Sequence, residues 1–598
     1  MPKPNAKPNP SSAGRVVSPP SPTSSSIEPK SPRFFWPIIS AIFLCATYLT
    51  FVGLDHAYFW DDEAEVGIVA KNYLNTGQLT GWDRRNLFAY HNGTLLDQNM
   101  RPTNPPLHYF VAAAGFKLFG VSTWAGRFPF VLFGLGTLIL FALILRDEFR
   151  GQPALAIYSF ATLALSVGFL LHIRQCRYFA LTVFFAVLTF YFYRRCLEKK
   201  NWIDFVWLGI SAAIFFYAQY LLCASFLLAL GLVHLVFAGA RTARPRENLT
   251  DDQSKSFSTR GRAVRAPFVL AAGIFLIATV PYAIKYKIWF RPDLGETDPW
   301  LTMRPKMLWT NLTQLNELNF MPWMVFTALV FFLFRERRND FVRRKIFPWI
   351  VFSGGYVFFL SLLTQVPKNT DVAPNRYLFT ALPFLAVMSG AAFWFLHRHA
   401  QIVGTIALAA ILGTNVFGLA PGNNEFRSLL PAYISEVHHE YPTSYRAAAE
   451  FINANCEKDA NVFAYPEFCT YPLMFYCGDK VRFGCSIDVT GIRSVGEIPP
   501  SIPRATLDRL NAPLYFDQNF PDYFVAFGMS EDVGNLLEYF SRPHEQNGRE
   551  VKFNYRPLTN LNVFAGDTSR PELTRHTFGP KTDFNRDRDS VVVFKRAE

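Results

Sequence analysis

The chain has 598 residues, 50% of them hydrophobic and 16% aromatic, which is too long for one compact domain and more apolar than an ordinary soluble protein. The net charge of +13 invites a nucleic-acid reading, but most of the Lys and Arg lie in short loops between apolar runs. They read as topology signals, and no nucleic-acid partner is expected. The apolar runs approach the ~20 residues that cross a hydrocarbon layer, so lipid replaces part of the core.

Residues 1–33 are rich in Pro and Ser and hold too few apolar residues to offset the entropy of ordering, as expected of a disordered cytoplasmic tail. Eleven spanning segments follow, at 34–54, 124–145, 153–171, 178–194, 202–219, 221–239, 267–284, 319–334, 346–364, 376–396 and 401–420. A twelfth apolar stretch, PPLHYFVAAAGFKLFG at 105–120, is short and carries His108 and Lys117. Leaving it out puts RDEFRG, RRCLEKKN, 241–265, RERRNDFVRRK and HRH on the side of the tail, as the bias of basic loops toward the cytoplasm requires. It therefore reads as a juxtamembrane or re-entrant helix at the outer face. The outer side then receives a first loop at 55–123, the short HIRQCR loop, a loop at 285–318, another at 365–375, and everything from 422 on.

Residues 34–421 thus form a transmembrane unit and 422–598 an extracytoplasmic small α/β domain, with YRAAAEFINANC as a helix and NVFAY, DYFVAFG and EVKFNY as strands. Cys456, Cys469, Cys477 and Cys485 cluster there. On an oxidising side they fit two disulfides; free buried thiols and a zinc site are the other readings.

Chemistry-bearing residues gather on the outer side. WDDEAEVGIVAKNYLNTG places Asp61, Asp62 and Glu63 at the start of an amphipathic helix with Val66, Val69 and Tyr73 on its apolar face. Acids there also offset the helix dipole, so a structural role stays open. Arg174 and Arg177 in HIRQCRYF, and Lys368 and Arg376 in VPKNTDVAPNRYLF, stand at span ends, where arginines also anchor headgroups. Acids and cations converging from distant segments fit a site for a phosphate-bearing lipid.

The Asp-Glu pair, the PPLHY motif, FGVSTWAGRFP, RQCRYFAL and RYLFTALPFLAVMSG occur in an order that resembles the membrane glycosyltransferases of family 39. These include protein O-mannosyltransferases and lipid A aminoarabinose transferases. The resemblance covers roughly residues 35–420 and implies a polytopic α-helical membrane protein of the fold type C glycosyltransferases. It implies transfer of a sugar from a polyprenyl-phosphate-linked donor, with inversion, to an acceptor that is a protein, a lipid A-like glycolipid or a cell-surface polysaccharide. Such an enzyme is an integral cell-envelope protein that works at the extracytoplasmic face.

The resemblance makes Asp62 catalytic, with Glu63 beside it; Arg101, His108, Arg174, Arg177, Lys368, Arg376 and Tyr377 are the candidate substrate-binding residues. The aminoarabinose transferases carry a Lys where this chain has Asn104; Arg101 is the nearby cation available to substitute. A divalent metal ion held by Asp62 and Glu63 is an open alternative, since hard cations favour carboxylates and phosphate oxygens. A transporter or lipid flippase is the competing reading, but such proteins place polar groups at the midplane of broken helices, often within internal repeats.

Overall fold

The computed structural model describes residues 34–87, 96, 100–242, 251–288, 300–365, 375–419, 426–483, 520–546, 549–563 and 590–597. The tail 1–33, Lys368 and Cys485 lie outside the described residues. Helix α1 (Phe35–Phe51) leads to α2 (Asp61–Thr76) and α3 (Leu107–Phe119), and α4 (Thr123–Glu148) begins the bundle proper. There follow α5 (Pro153–Ala164), α6 (Val167–Ile173), α7 (Phe179–Lys199), α8 (Trp202–Ala218), α9 (Tyr220–Thr242) and α10 (Asp251–Tyr286). Then come α11 (Trp300–Glu317), α12 (Trp323–Arg335), α13 (Phe347–Leu363), α14 (Leu382–His399) and α15 (Gln401–Gly413).

All eleven expected segments are helical. Among the described residues, six helices are long and apolar enough to span, and the α5/α6 pair, bent by 53°, makes a seventh if counted as one span. The other expected segments are shorter, at α1, α8, α12 and α15. Helix α3 has 13 residues, about 20 Å against ~30 Å of hydrocarbon, so it is too short to cross unaided. Within the expected connection 285–318, Trp300–Glu317 forms α11, a polar helix that is not among the spanning candidates and that an apolar-run search does not detect.

The bundle packs through α14 on α5, α13 on α9, α8 on α7 and α10, and α4 on α7. Gly390 on α14 is required by this packing, because a Cβ there would lie 2.2 Å from Ser159 Oγ on α5, the close approach that small residues permit between apolar helices. The basic loops meet at one end of the bundle: Arg194 pairs with Glu148, Lys345 reaches Glu148 at 3.2 Å, and Arg398 reaches Glu336 at 3.9 Å. The 26-residue α4 separates that end from the one at Thr123 by about 38 Å.

The C-terminal unit contains α16 (Leu430–His438), α17 (Ser444–Asn455), β1 (Asn461–Tyr465), α18 (Thr470–Cys477), β2 (Arg482–Phe483), β3 (Tyr523–Phe527) and α19 (Glu531–Ser541). Strands β4 (His544–Gln546), β5 (Arg549–Val551), β6 (Asn554–Asn562) and β7 (Ser590–Ala597) complete it. A five-stranded sheet runs β2-β1-β3-β7-β6, with β1 parallel to β2 and β3 while β7 is antiparallel to β3 and β6. The expected helix and the strands NVFAY and DYFVAFG are present; EVKFNY instead divides between β5 and the start of β6. Cys456, Cys469 and Cys477 are buried free thiols, which corrects the disulfide expectation for these three. Each sits within apolar packing, and the Cys477 thiol donates to Ala449 O at 3.5 Å.

Candidate active site

Helix α2 starts after Trp60, so Asp61, Asp62 and Glu63 occupy its first turn and no side chain caps it. Its C-terminus closes on Gly77 at φ 73, a left-handed position suited to glycine. The amphipathic reading needs correction, because every residue from Asp62 to Ala70 is buried. α3 covers one side and α18 covers the side expected to face solvent.

The acids divide by partner. Glu63 is 0% exposed and its Oε1 accepts from Arg127 Nε at 2.8 Å and from the Cys176 N–H at 2.7 Å, while Oε2 accepts from Arg127 Nη2 at 2.6 Å. The same guanidinium donates to Leu54 O and Ala57 O. Glu63 is therefore half of a saturated buried ion pair that ties the first loop to α4.

Asp62 is 8% exposed. Its Oδ2 accepts from Arg376 Nη1 and lies 3.3 Å from Arg177 Nη2. Arg177 Nη1 also donates to Asp62 O at 3.0 Å and to Glu65 Oε2 at 2.5 Å. Glu65 Oε1 accepts from the Tyr109 hydroxyl at 2.8 Å and from Asn104 Nδ2 at 3.1 Å. One carboxylate and two arginines from segments up to 314 residues apart thus converge, and Glu65, Tyr109 and Asn104 anchor one of the arginines. Burial, together with the Glu65 charge, holds the Tyr109 phenol well above its ordinary range.

His108 lies beside this cluster, 2% exposed, with its ring 4.1 Å from that of Tyr109 and 6.2 Å from that of Tyr178. Among the described residues, neither ring nitrogen has a hydrogen-bond partner. Burial and the Arg177 charge hold the imidazole well below its ordinary pKa, against the opposing pull of Asp62. Tyr377 lies under the Arg376 guanidinium, 5.8 Å from ring centre to charge centre.

Two expected cations go elsewhere. Arg174 donates to Leu49 O, Val52 O and Gly53 O at 3.1, 2.8 and 2.6 Å, which satisfies orphan carbonyls at the end of α1. Arg101 donates to Gln78 Oε1 at 3.2 Å, just past the far end of α2, about 20 Å along the helix from Asp62. Asn104, at the position of the missing lysine, holds Glu65.

The residues present do not fit a divalent ion shared by Asp62 and Glu63, because Glu63 already accepts three N–H bonds and Asp62 faces two arginines. Among the described residues no three His, Cys, Asp or Glu side chains converge as a metal site. A separate cavity of about 370 Å³ opens between α5, α6, α14 and α15, lined in part by Ser166, Asn319, Asn415 and Arg427. Neither Asp62 nor its arginines line it, and the site is assigned on chemistry rather than on hollow volume.

Glu65, Arg127 and Tyr109 were not singled out from the sequence. Glu65 is three residues after Asp62 and so shares its helix face; Arg127 is a charge within an otherwise apolar helix, itself a warning of a buried partner.

This architecture defines a class: a polytopic helical membrane protein with the fold of type C glycosyltransferases. The chain is similar in fold to ArnT from Cupriavidus metallidurans bound to undecaprenyl phosphate, with TM-score 0.50, 13% identity, and coverage of 87% of this chain and 98% of that one. The apo form of the same protein gives TM-score 0.50 at 13% identity over 86% and 97%. Residues 103–248 match the family model of dolichyl-phosphate-mannose-protein mannosyltransferases, so the family resemblance read from the motifs holds across that segment. An uncharacterized protein of Aquifex aeolicus (strain VF5) is 29% identical over 166 residues, a match that spans 28% of this chain and only 30% of that relative.

Proposed function

We propose that this chain is a membrane glycosyltransferase that moves a sugar from a polyprenyl-phosphate carrier to an acceptor at the extracytoplasmic face. The observation that carries the reading is the Asp62 carboxylate held against Arg376 and Arg177 at one end of an apolar bundle. The family match and the fold shared with a protein solved with undecaprenyl phosphate support the donor class.

Both arginines are set to neutralise charge on the departing carrier phosphate, the kind of preorganised stabilisation that lowers a transition state most. As the phosphate draws the guanidiniums, Asp62 is released toward the acceptor hydroxyl and takes its proton. The acceptor oxygen bonds the anomeric carbon while the carbon–oxygen bond to phosphate breaks with its electron pair, and the sugar inverts. Base assistance of this kind contributes about 10²- to 10⁴-fold. Glu63 belongs to the scaffold in this scheme. The carrier's apolar tail accounts for the membrane setting, and Lys368 remains a candidate phosphate ligand from the sequence alone.

Mass spectrometry of glycans and glycolipids from cells with and without the chain tests the reading. Loss of one glycosylated species, with accumulation of its polyprenyl-phosphate sugar, is expected. Identical glycans and glycolipids in both cells contradict it.

A further inference from the structure

The C-terminal unit reaches into the first loop at both ends and in the middle. Tyr476, on α18, accepts a hydrogen bond from the Phe59 N–H at 2.9 Å, and its hydroxyl also bonds Thr123 Oγ1 at 2.7 Å. Phe59 stands three residues before Asp62, and Thr123 is the first residue of α4; one oxygen therefore ties together the two chain segments that bracket the loop. The Tyr476 ring stacks on Tyr58 at 3.9 Å, and Phe475 packs on Phe59 at 5.0 Å. Phe59 in turn sits under the Arg127 guanidinium that holds Glu63. In the middle, Asn86 is fully buried, donates from Nδ2 to Gly478 O at 2.9 Å and accepts the Phe483 N–H at 2.8 Å. Lys71 pairs with Asp479 farther along α2.

From this geometry we infer that Tyr476 is a positioning residue that fixes the entry of α2, and with it the Asp62 carboxylate, making the C-terminal unit a working part of the active site. The inference rests on the reading of Asp62 as the acceptor's base. A carboxylate in the first turn of a helix inherits any shift of the residues that start the turn; here the backbone two residues before that turn hangs on one phenol. Burial raises the phenol above its ordinary range, so the hydroxyl keeps its proton; its oxygen accepts the Phe59 N–H, and either hydroxyl can donate in the Tyr476–Thr123 pair.

Tyr476→Phe removes the oxygen and leaves the stack on Tyr58. Thr123→Val releases only the far end and leaves the Phe59 bond, so it serves if the first variant folds poorly. Full-length proteins in nanodiscs are compared by donor-dependent transfer and by amide hydrogen exchange over residues 59–66. Expected for Tyr476→Phe are a kcat lower by ~10-fold, a donor KM within about twofold, and exchange faster by ~10-fold, because a small misplacement of a catalytic group costs rate more than binding. Lys71→Ala, which removes an exposed contact to the same unit, should leave both readouts unchanged. Unchanged kcat and exchange in Tyr476→Phe and Thr123→Val overturn the inference, as does a raised KM with kcat intact. If wild-type protein transfers no sugar, the functional reading fails, while faster exchange at 59–66 in Tyr476→Phe still upholds the clip.

Discussion

Replacing Arg127 by Met keeps a side chain of similar length on α4 but removes two charge-assisted bonds to Glu63 and two to the carbonyls of Leu54 and Ala57. What remains is a carboxylate at 0% exposure with the Cys176 N–H as its remaining donor among these. Removing one partner of a buried pair costs about 3–5 kcal/mol, because the other charge is left without compensation. A bundle of about 390 residues loses roughly 0.8 kcal/mol per degree near its midpoint at ~2.1 cal/mol/K per residue, so the thermal midpoint should fall by about 4–6 °C. Glu63→Gln keeps an acceptor for Cys176 and should cost less. The assay is thermal unfolding of purified protein in one detergent, paired with turnover per folded molecule. A wild-type midpoint for Arg127→Met, or a turnover loss in Glu63→Gln as deep as that of Asp62→Asn, refutes the assignment of Glu63 to the scaffold.

Arg177→Gln and Arg376→Gln should each raise the polyprenyl-phosphate concentration needed for half-saturation by about 10- to 100-fold, the worth of a charge-assisted bond of ~1.5–3 kcal/mol. Arg174→Gln should instead lower thermal stability and leave that concentration unchanged, and titrated lipid binding separates the two patterns. Cys456, Cys469 and Cys477 should alkylate without reductant in denatured protein; a reductant requirement would contradict the free thiols. In the native state Cys456 and Cys477 should resist alkylation at pH 8, because burial raises both thiols to about 12 and the reactive thiolate forms only as pH approaches that value.

Much of the fold was legible because spans and basic loops are local signals: an apolar run of the right length becomes a helix whatever it packs against. Helix α11 was missed for the same reason, since it is polar and its evidence lies in tertiary contact. Within the site, the acidic first turn of α2, Arg177 and Arg376 were all read from the chain. The division of labour among neighbours was not. Glu63 and Glu65 are two residues apart and face different partners, and Arg174 and Arg177 follow α6 on a turn whose direction no local pattern reveals. One caps α1 and the other reaches Asp62. The burial of α2 depends on α18, about 400 residues later in sequence, and periodicity cannot anticipate a cover that arrives from so far away.

The measurement closest to the central claim is single-turnover transfer by Asp62→Asn, with Asp61→Asn as control, from one polyprenyl-phosphate sugar donor. Asn keeps the size and can still accept from Arg376, so folding and donor binding should survive, and both are checked first. The carboxylate's capacity to take a proton is gone, so transfer should fall by at least ~10² in Asp62→Asn, while Asp61→Asn retains most activity. Near-normal transfer by Asp62→Asn, or an equal loss in Asp61→Asn, contradicts the account.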